Sequence, residues 1–331
     1  MTERSSGRAD SAVAAVATDP LRARFHRARV FSWMQAVGIV ALLAVTLGTP
    51  GFLAGPSILS LLTTVSFIGC VAIGMTLITI SGNIMSFALG ATVGATAMVF
   101  ILASNWLGFG PGLLVGLLFG SLLTGLQGLL IGWVRANPII VSIAALALIY
   151  GVAQAFAEKG TIYAEAGTVP ASVKGKIAGV PIEFIVFLLA TLIAQFILSA
   201  TRFGRNLFMV GSSFRAAEAI GVSTWRTVTG AYVWAGFFTS LSGIMLAIRY
   251  DSANMDYGVA YDYDAIAAVL VGGTAIGGGD GSALRTFAGG MVIAAVQVML
   301  LLRGLRQEWQ YLAAGLIVLA VIILQARGSG R

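Results

Sequence analysis

The chain has 331 residues, 58% of them hydrophobic and 10% charged, with a mean hydropathy of +0.93 and a formal net charge of +7. That balance lies far outside soluble globular proteins and excludes a sizeable soluble domain, because at about 20 apolar residues per span the length is filled by roughly ten membrane helices. One cysteine, Cys70, and one histidine, His26, exclude a disulfide framework and a Cys/His metal cluster.

Residues 1–30 form a basic, Ala-rich tail carrying six of the twenty Lys and Arg residues. The apolar run after it lacks a convincing cleavage site, so the tail is expected to lie in the cytoplasm before a first helix that is retained. Residues 31–331 then form one transmembrane domain, with apolar runs at approximately 31–48, 57–80, 84–103, 110–134, 139–157, 182–200, 227–249, 264–276, 286–302 and 309–325. The fold class is an all-α polytopic membrane protein of about ten helices, and an even number of spans puts both termini on one side. With the N-terminus in the cytoplasm, fourteen basic residues fall inside and six outside (Lys159, Lys174, Lys176, Arg249, Arg303 and Arg306), while most acids lie outside. Topology explains these charges better than a nucleic-acid ligand does.

Along the fourth run Gly112, Gly116, Gly120, Thr124, Gly128 and Gly132 recur every four positions, a smooth ridge for close helix packing that Gly90 and Gly94 repeat on the third. The interruption at 201–226 holds four arginines and one acid, Glu218, which marks a cytoplasmic loop. Within it Phe214 to Ile220 forms a two-turn helix, capped by Ser213 and ended by Gly221. So short a helix needs support: it packs on its own bundle, or another protein grips it. The eighth run is short and glycine-rich, ending G272-G-T-A-I-G-G-G-D-G281; it spans only if tilted, or enters and leaves as a re-entrant segment.

No acid, base or histidine falls near the middle of a run so drawn, and Asp262, Asp264 and Arg249 sit at span ends open to water or headgroups, which argues against a proton-driven carrier. Paired carboxylates for a membrane enzyme are missing, and no G-x-x-x-x-G-K-[ST] loop exists, so the chain is not its own ATPase and needs no cofactor. The stretch Gly277 to Gly281 is expected to form a turn, with a phosphate cradle as the lesser alternative. The acids Asp251, Asp256, Asp262 and Asp264 form a solvated external loop or a docking surface. Uncharged polar residues remain in or beside the runs: Asn83, Ser86, Gln127, Ser142, Gln154, Gln195, Thr239, Ser240 and Gln297. Among them Asn83, Ser86, Gln127, Ser142 and Gln297 are candidates to line a path for a neutral polyhydroxylated solute; each also suits an ordinary interhelical hydrogen bond.

Two stretches, F203-G-R-N-L-F-M-V-G-S-S-F-R-A-A-E-A-I-G-V222 and Y261-D-Y-D-A-I-A-A-V-L-V-G-G-T-A-I-G-G-G-D-G-S282, resemble the permease subunits of ATP-binding-cassette importers for ribose, xylose and similar simple sugars. Weaker similarity runs through G74-M-T-L-I-T-I-S-G82, G125-L-Q-G-L-L-I-G132 and N137-P-I-I-V-S142. The resemblance implies that Ala216, Ala217 and Gly221, with Ser213 and Glu218 in the same element, form the cytoplasmic helix that docks on an ATPase subunit. It assigns Asp264, Ala265, Ala267, Gly272, Gly273 and Thr274 to a structural signature. It also implies a fold like that of vitamin B12 type importer permeases, a second permease copy, an external solute-binding protein, a bacterial inner-membrane location and no catalytic residues. The chain departs from the family pattern at Met85, where an Asp is usual, and at Ser213, Arg285 and Gln127, where Asn, Gly and Asn are usual. The missing carboxylate fits a different solute, or a heterodimer whose other permease supplies it. Against these stands a facilitator or secondary carrier acting alone, for which no buried charge and no two-half repeat speak.

Overall fold

A computed structural model describes residues 48–83, 85–156 and 160–328; the basic tail and the first apolar run lie outside the described residues, apart from Gly48. Eleven helices of six residues or more follow in order: α1 (Gly55–Ile80), α2 (Leu89–Leu107), α3 (Phe109–Trp133), α4 (Pro138–Phe156), α5 (Ile182–Ala200), α6 (Arg202–Ser212), α7 (Phe214–Ala219), α8 (Thr224–Tyr250), α9 (Tyr261–Val271), α10 (Ala283–Leu302) and α11 (Gln307–Gly328). Seven of them, α1 to α5, α8 and α10, are long and apolar enough to cross a membrane, and α11 holds a shorter apolar stretch. Two small two-stranded ladders are the only strands among the described residues. The chain is a polytopic helical membrane protein.

Helix α1 is the innermost element: every residue from Val65 to Ile80 is buried, and its Thr76 and Thr79 hydroxyls donate back to the carbonyls of Ala72 and Met75 at 2.8 and 2.9 Å, so no polar group is stranded. The Thr76 and Thr286 hydroxyls meet at 2.6 Å and tie α1 to α10. The ridge expected on α3 is present. A Cβ at Gly128 would stand 2.5 Å from the Tyr232 Cβ, one at Gly132 2.8 Å from the Trp225 carbonyl oxygen, and one at Gly120 would overlap the Ser240 hydroxyl. Thr124 uses the approach, donating across the interface to the Tyr232 carbonyl at 2.8 Å. On the opposite face of α3, Leu114, Leu118, Leu122, Leu126 and Leu130 are exposed at the same spacing, an apolar stripe suited to lipid.

The α6 and α7 pair marks one end of the bundle, together with the last turns of α1, α3 and α5 and the first turns of α8 and α10. At the other end the strand Thr161–Tyr163 pairs antiparallel with Ser252–Asn254, Lys174 pairs with Asp251, and Arg249 meets Glu183 at 3.1 Å.

Two stretches that are not α-helical run inside the bundle. Residues 81–83 and 85–88 lie between α1 and α2, which starts five residues later than the apolar run at 84 suggests; residues 251–260, a short strand and one 3-10 turn, descend from α8 into α9. The two meet. A Cβ at Gly258 would overlap the Gly90 carbonyl oxygen, and one at Gly94 would stand 2.9 Å from the Met255 Cα. The small positions of α2 therefore receive the 3-10 turn Met255–Gly258 rather than a second long helix. Thr96 of α2 packs at the level of Ser240 of α8, and Gly90 lies six residues, roughly 9 Å, closer to the α6–α7 end. That sets the meeting point near the midpoint of α8. Segment 251–281 thus joins the two ends of the bundle, half unwound and half helical, and is not a re-entrant hairpin.

Candidate functional site

The site is built on the polar interruption. Amphipathic α6 begins at Thr201, whose hydroxyl accepts the Gly204 N–H at 3.1 Å, and buries Gly204, Leu207 and Val210 against the bundle. Ser213 then caps α7 as expected, its hydroxyl accepting the Ala216 N–H at 3.3 Å. The other end closes as a Schellman stop, with Gly221 N–H donating to Glu218 O and Val222 N–H to Ala217 O, both at 3.0 Å, around a Gly221 φ of +80°. Of the residues assigned to docking, Ala217 faces inward at 2% exposure, while Ala216 and Glu218 are exposed and Ile220 is 68% exposed. The outward face of α7 is therefore Arg215, Ala216, Ala219 and Ile220.

Arg135, at the close of α3 with a φ of +57°, clamps this short helix from behind. Its guanidinium donates to Glu218 at 2.6 Å and lies 5.0 Å from the Phe214 ring centroid, and the same carboxylate accepts the Thr224 hydroxyl at 3.2 Å. A cavity of about 430 Å³ opens beside the clamp, lined among others by Asn83, Arg135, Gly211 and Phe214.

The signature after α9 has a mechanical role. Gly273 N–H donates to Leu270 O at 2.9 Å and Thr274 N–H to Val269 O at 3.2 Å around a Gly273 φ of +79°, a second Schellman stop, while a Cβ on Gly272 would stand 2.6 Å from the Arg285 carbonyl oxygen. Ala265, Ala267 and Thr274 are buried beside it. The turn from Gly277 to Gly281 is held by Arg285, which bonds Asp280 at 2.6 Å and the Gly273 carbonyl at 3.4 Å. At its tip Gly279 N–H donates to the Ile80 carbonyl at 3.0 Å, and a Cβ on Gly211 of α6 would overlap that same carbonyl. Three backbones, from α1, α6 and the turn, converge on a space that admits no side chain.

The acids do not form one solvated group. Asp251 is paired with Lys174 and Asp256 is exposed, but Asp264 is 4% exposed with Gln297 as its side-chain partner, and Asp262 is half-buried against the start of α2. Asp262 and Asp264 sit in the first turn of α9, deep in the bundle, because the unwound segment before α9 carries the chain inward; the expectation that both stand at a span end in water is overturned. Asn83 donates to Ser81 at 2.8 Å, the Ser86 hydroxyl accepts Ala88 N–H at 3.3 Å, Gln127 reaches only Leu123 O at 3.5 Å, and Ser142 donates to Ile139 O at 3.0 Å. Among the described residues no hydrogen bond joins any two of the five path candidates. Gln195 instead anchors the start of α10, where its side-chain oxygen accepts the Ser282 hydroxyl and the Leu284 N–H. The roles of Arg135, Gly211 and Asp262 are not legible in the sequence, since Arg135 acts on a partner 83 residues away, Asp262 on one 172 residues away, and Gly211 on Ile80.

With this architecture in view, the chain matches the family described as the branched-chain amino acid transport system permease component, over residues 57–322. The chain belongs to this family. The permease is a multi-pass transport subunit and not an enzyme. It is 28% identical to the ribose import permease protein of Bacillus subtilis (strain 168) across 94% of its own length and 99% of the relative's. It is 26% identical to the ribose import permease protein of Haemophilus influenzae across 86% and 90%, and 27% identical to the autoinducer 2 import system permease protein of Escherichia coli (strain K12) across 77% and 79%. No solved structure matches it.

Proposed function

We propose that this permease is the membrane subunit of a bacterial ATP-binding-cassette importer that translocates a monosaccharide delivered by an external binding protein, working with a second permease copy and two ATPase subunits. The observation that carries the proposal is α7: a helix too short to stand alone, capped at both ends, clamped by Arg135 and offering Arg215, Ala216, Ala219 and Ile220 outward. Such an element is supported from behind and free in front, as a coupling helix must be. Its surrounding arginines support a cytoplasmic α6–α7 end; on this reading both termini lie on that side and the crossings number ten, counting the first apolar run, α11 and the broken segment 251–271. A permease fold of the vitamin B12 importer type goes with this assignment.

The sugar rests on the ribose permeases, whereas the family description names branched-chain amino acids. The test is to purify the tagged protein from its host in mild detergent, identify the copurifying chains by mass spectrometry, and offer the recovered binding protein a panel of monosaccharides and aliphatic amino acids. A cassette ATPase in near-equal amount and a sugar ligand support the proposal. A lone protein that moves sugars in ATP-free liposomes refutes the coupling assignment, and leucine as the ligand refutes the substrate.

A further inference from the structure

Helix α2 starts inside the bundle, where its first N–H groups have no water to bond, and its cap residue Ala88 offers no side-chain acceptor. The acceptor comes from 172 residues downstream: the Asp262 carboxylate takes the Gly90 N–H at 2.8 Å and also the Leu89 N–H. An acceptor oxygen at the unpaired N–H groups of a helix start is the favourable arrangement. This contact joins the first turn of α2 to the first turn of α9. Beside it opens a groove of about 630 Å³ whose walls include Met85 and Phe87 from the first stretch, Val259 and Ala260 from the second, and Tyr263 and Tyr311.

The far end of α9 is tied just as firmly. Its Schellman stop leads into the glycine turn whose Gly279 bonds Ile80, hard against Gly211 of α6. α9 is thus an 11-residue rod with one end at the junction beneath α6–α7 and the other at the first turn of α2.

We propose that Asp262 is a positioning residue for transport, a latch that holds the first turns of α2 and α9 together at the gate of the translocation path, and that α9 carries displacement of α6–α7 to this latch. The proposal rests on the importer assignment for what drives α6–α7, but the latch itself is tested without ATP.

The experiment uses the full reconstituted importer with radiolabelled D-ribose as the probe, reading ATP-free flux and uptake per ATP hydrolysed for Asp262→Ala, Asp262→Asn and, as a control in the same segment, the exposed Asp256→Ala. Asp262→Ala is expected to raise ATP-free flux and lower uptake per ATP, each at least fivefold. Asp262→Asn keeps an acceptor oxygen and should stay within twofold of the unmodified protein, as should Asp256→Ala. Equal behaviour of the Ala and Asn variants, or Asp262→Ala with unchanged flux and coupling, overturns the latch. Should Asp262→Ala not insert, Val259→Cys in a Cys70→Ala background gives the second measurement. Maleimide labelling at 259 should change at least threefold between nucleotide-free and vanadate-trapped importer, and equal rates in the two states overturn the gate. Failure of the ATPase to copurify would sink the importer assignment and leave the ATP-free flux comparison standing.

Discussion

Gly221→Ala, compared with Gly211→Ala and Gly277→Ala, separates two reasons for glycine around α7. Gly221 has a φ of +80° and open space around its Cα, so an added methyl meets nothing and only the left-handed backbone resists it, by about 1–2 kcal/mol. The lower entropy of the unfolded chain returns about 0.4–1 kcal/mol, leaving roughly 1 kcal/mol against the Schellman stop. In a six-residue helix that is enough to lower the closed population about fivefold while the bundle is untouched. Gly211 is the reverse case: its Cβ would overlap the Ile80 carbonyl and stand 2.6 Å from Gly279 N, so α6 must retreat and the Gly279 to Ile80 hydrogen bond is lost. Leaving those buried groups unpaired adds about 1–3 kcal/mol to the packing loss. Gly277 has open space and no positive φ and should be silent. The assay is ribose uptake per ATP in proteoliposomes beside the thermal unfolding midpoint of each purified variant. Gly221→Ala should lower coupling several-fold at an unchanged midpoint, and Gly211→Ala should lower both. A Gly221→Ala protein with full coupling, or with a midpoint as low as that of Gly211→Ala, would refute the reasoning.

Because Arg135 and Glu218 are 64% and 41% exposed, a double-mutant cycle between them should give a coupling energy under about 1 kcal/mol that fades in molar salt; a salt-independent value above that would mean the pair is shielded by a partner. On the α3 ridge, Gly128→Leu should destabilise the bundle by about 1–3 kcal/mol through overpacking against Tyr232, whereas Leu122→Ala on the exposed stripe should leave the unfolding midpoint unchanged. Ala217→Asp is expected to reduce folded protein rather than uncouple it, since position 217 is buried, whereas Ala216→Asp should uncouple at normal yield; membrane-fraction blots beside uptake decide between them. Met85 is 7% exposed, so Met85→Asp should lower inserted protein several-fold while Met85→Leu does not, and equal yields would show that position 85 is solvated.

The membrane class, most helix boundaries to within a few residues, the α3 ridge and both caps of α7 were legible in the amino-acid order, because these follow from local rules: apolar length, a four-residue repeat of small side chains, a Ser before a helix and a Gly after it. Residues 182–200 read as a span and form α5 with the same limits. Packing in three dimensions was needed to establish that α2 begins only at Leu89, that Asp262 and Asp264 lie deep in the bundle, that Ala217 points inward, and that Arg135 holds Glu218. Each of these depends on contacts between positions far apart in the chain, and hydropathy cannot show that the first N–H groups of α2 are bonded by a carboxylate 172 residues away.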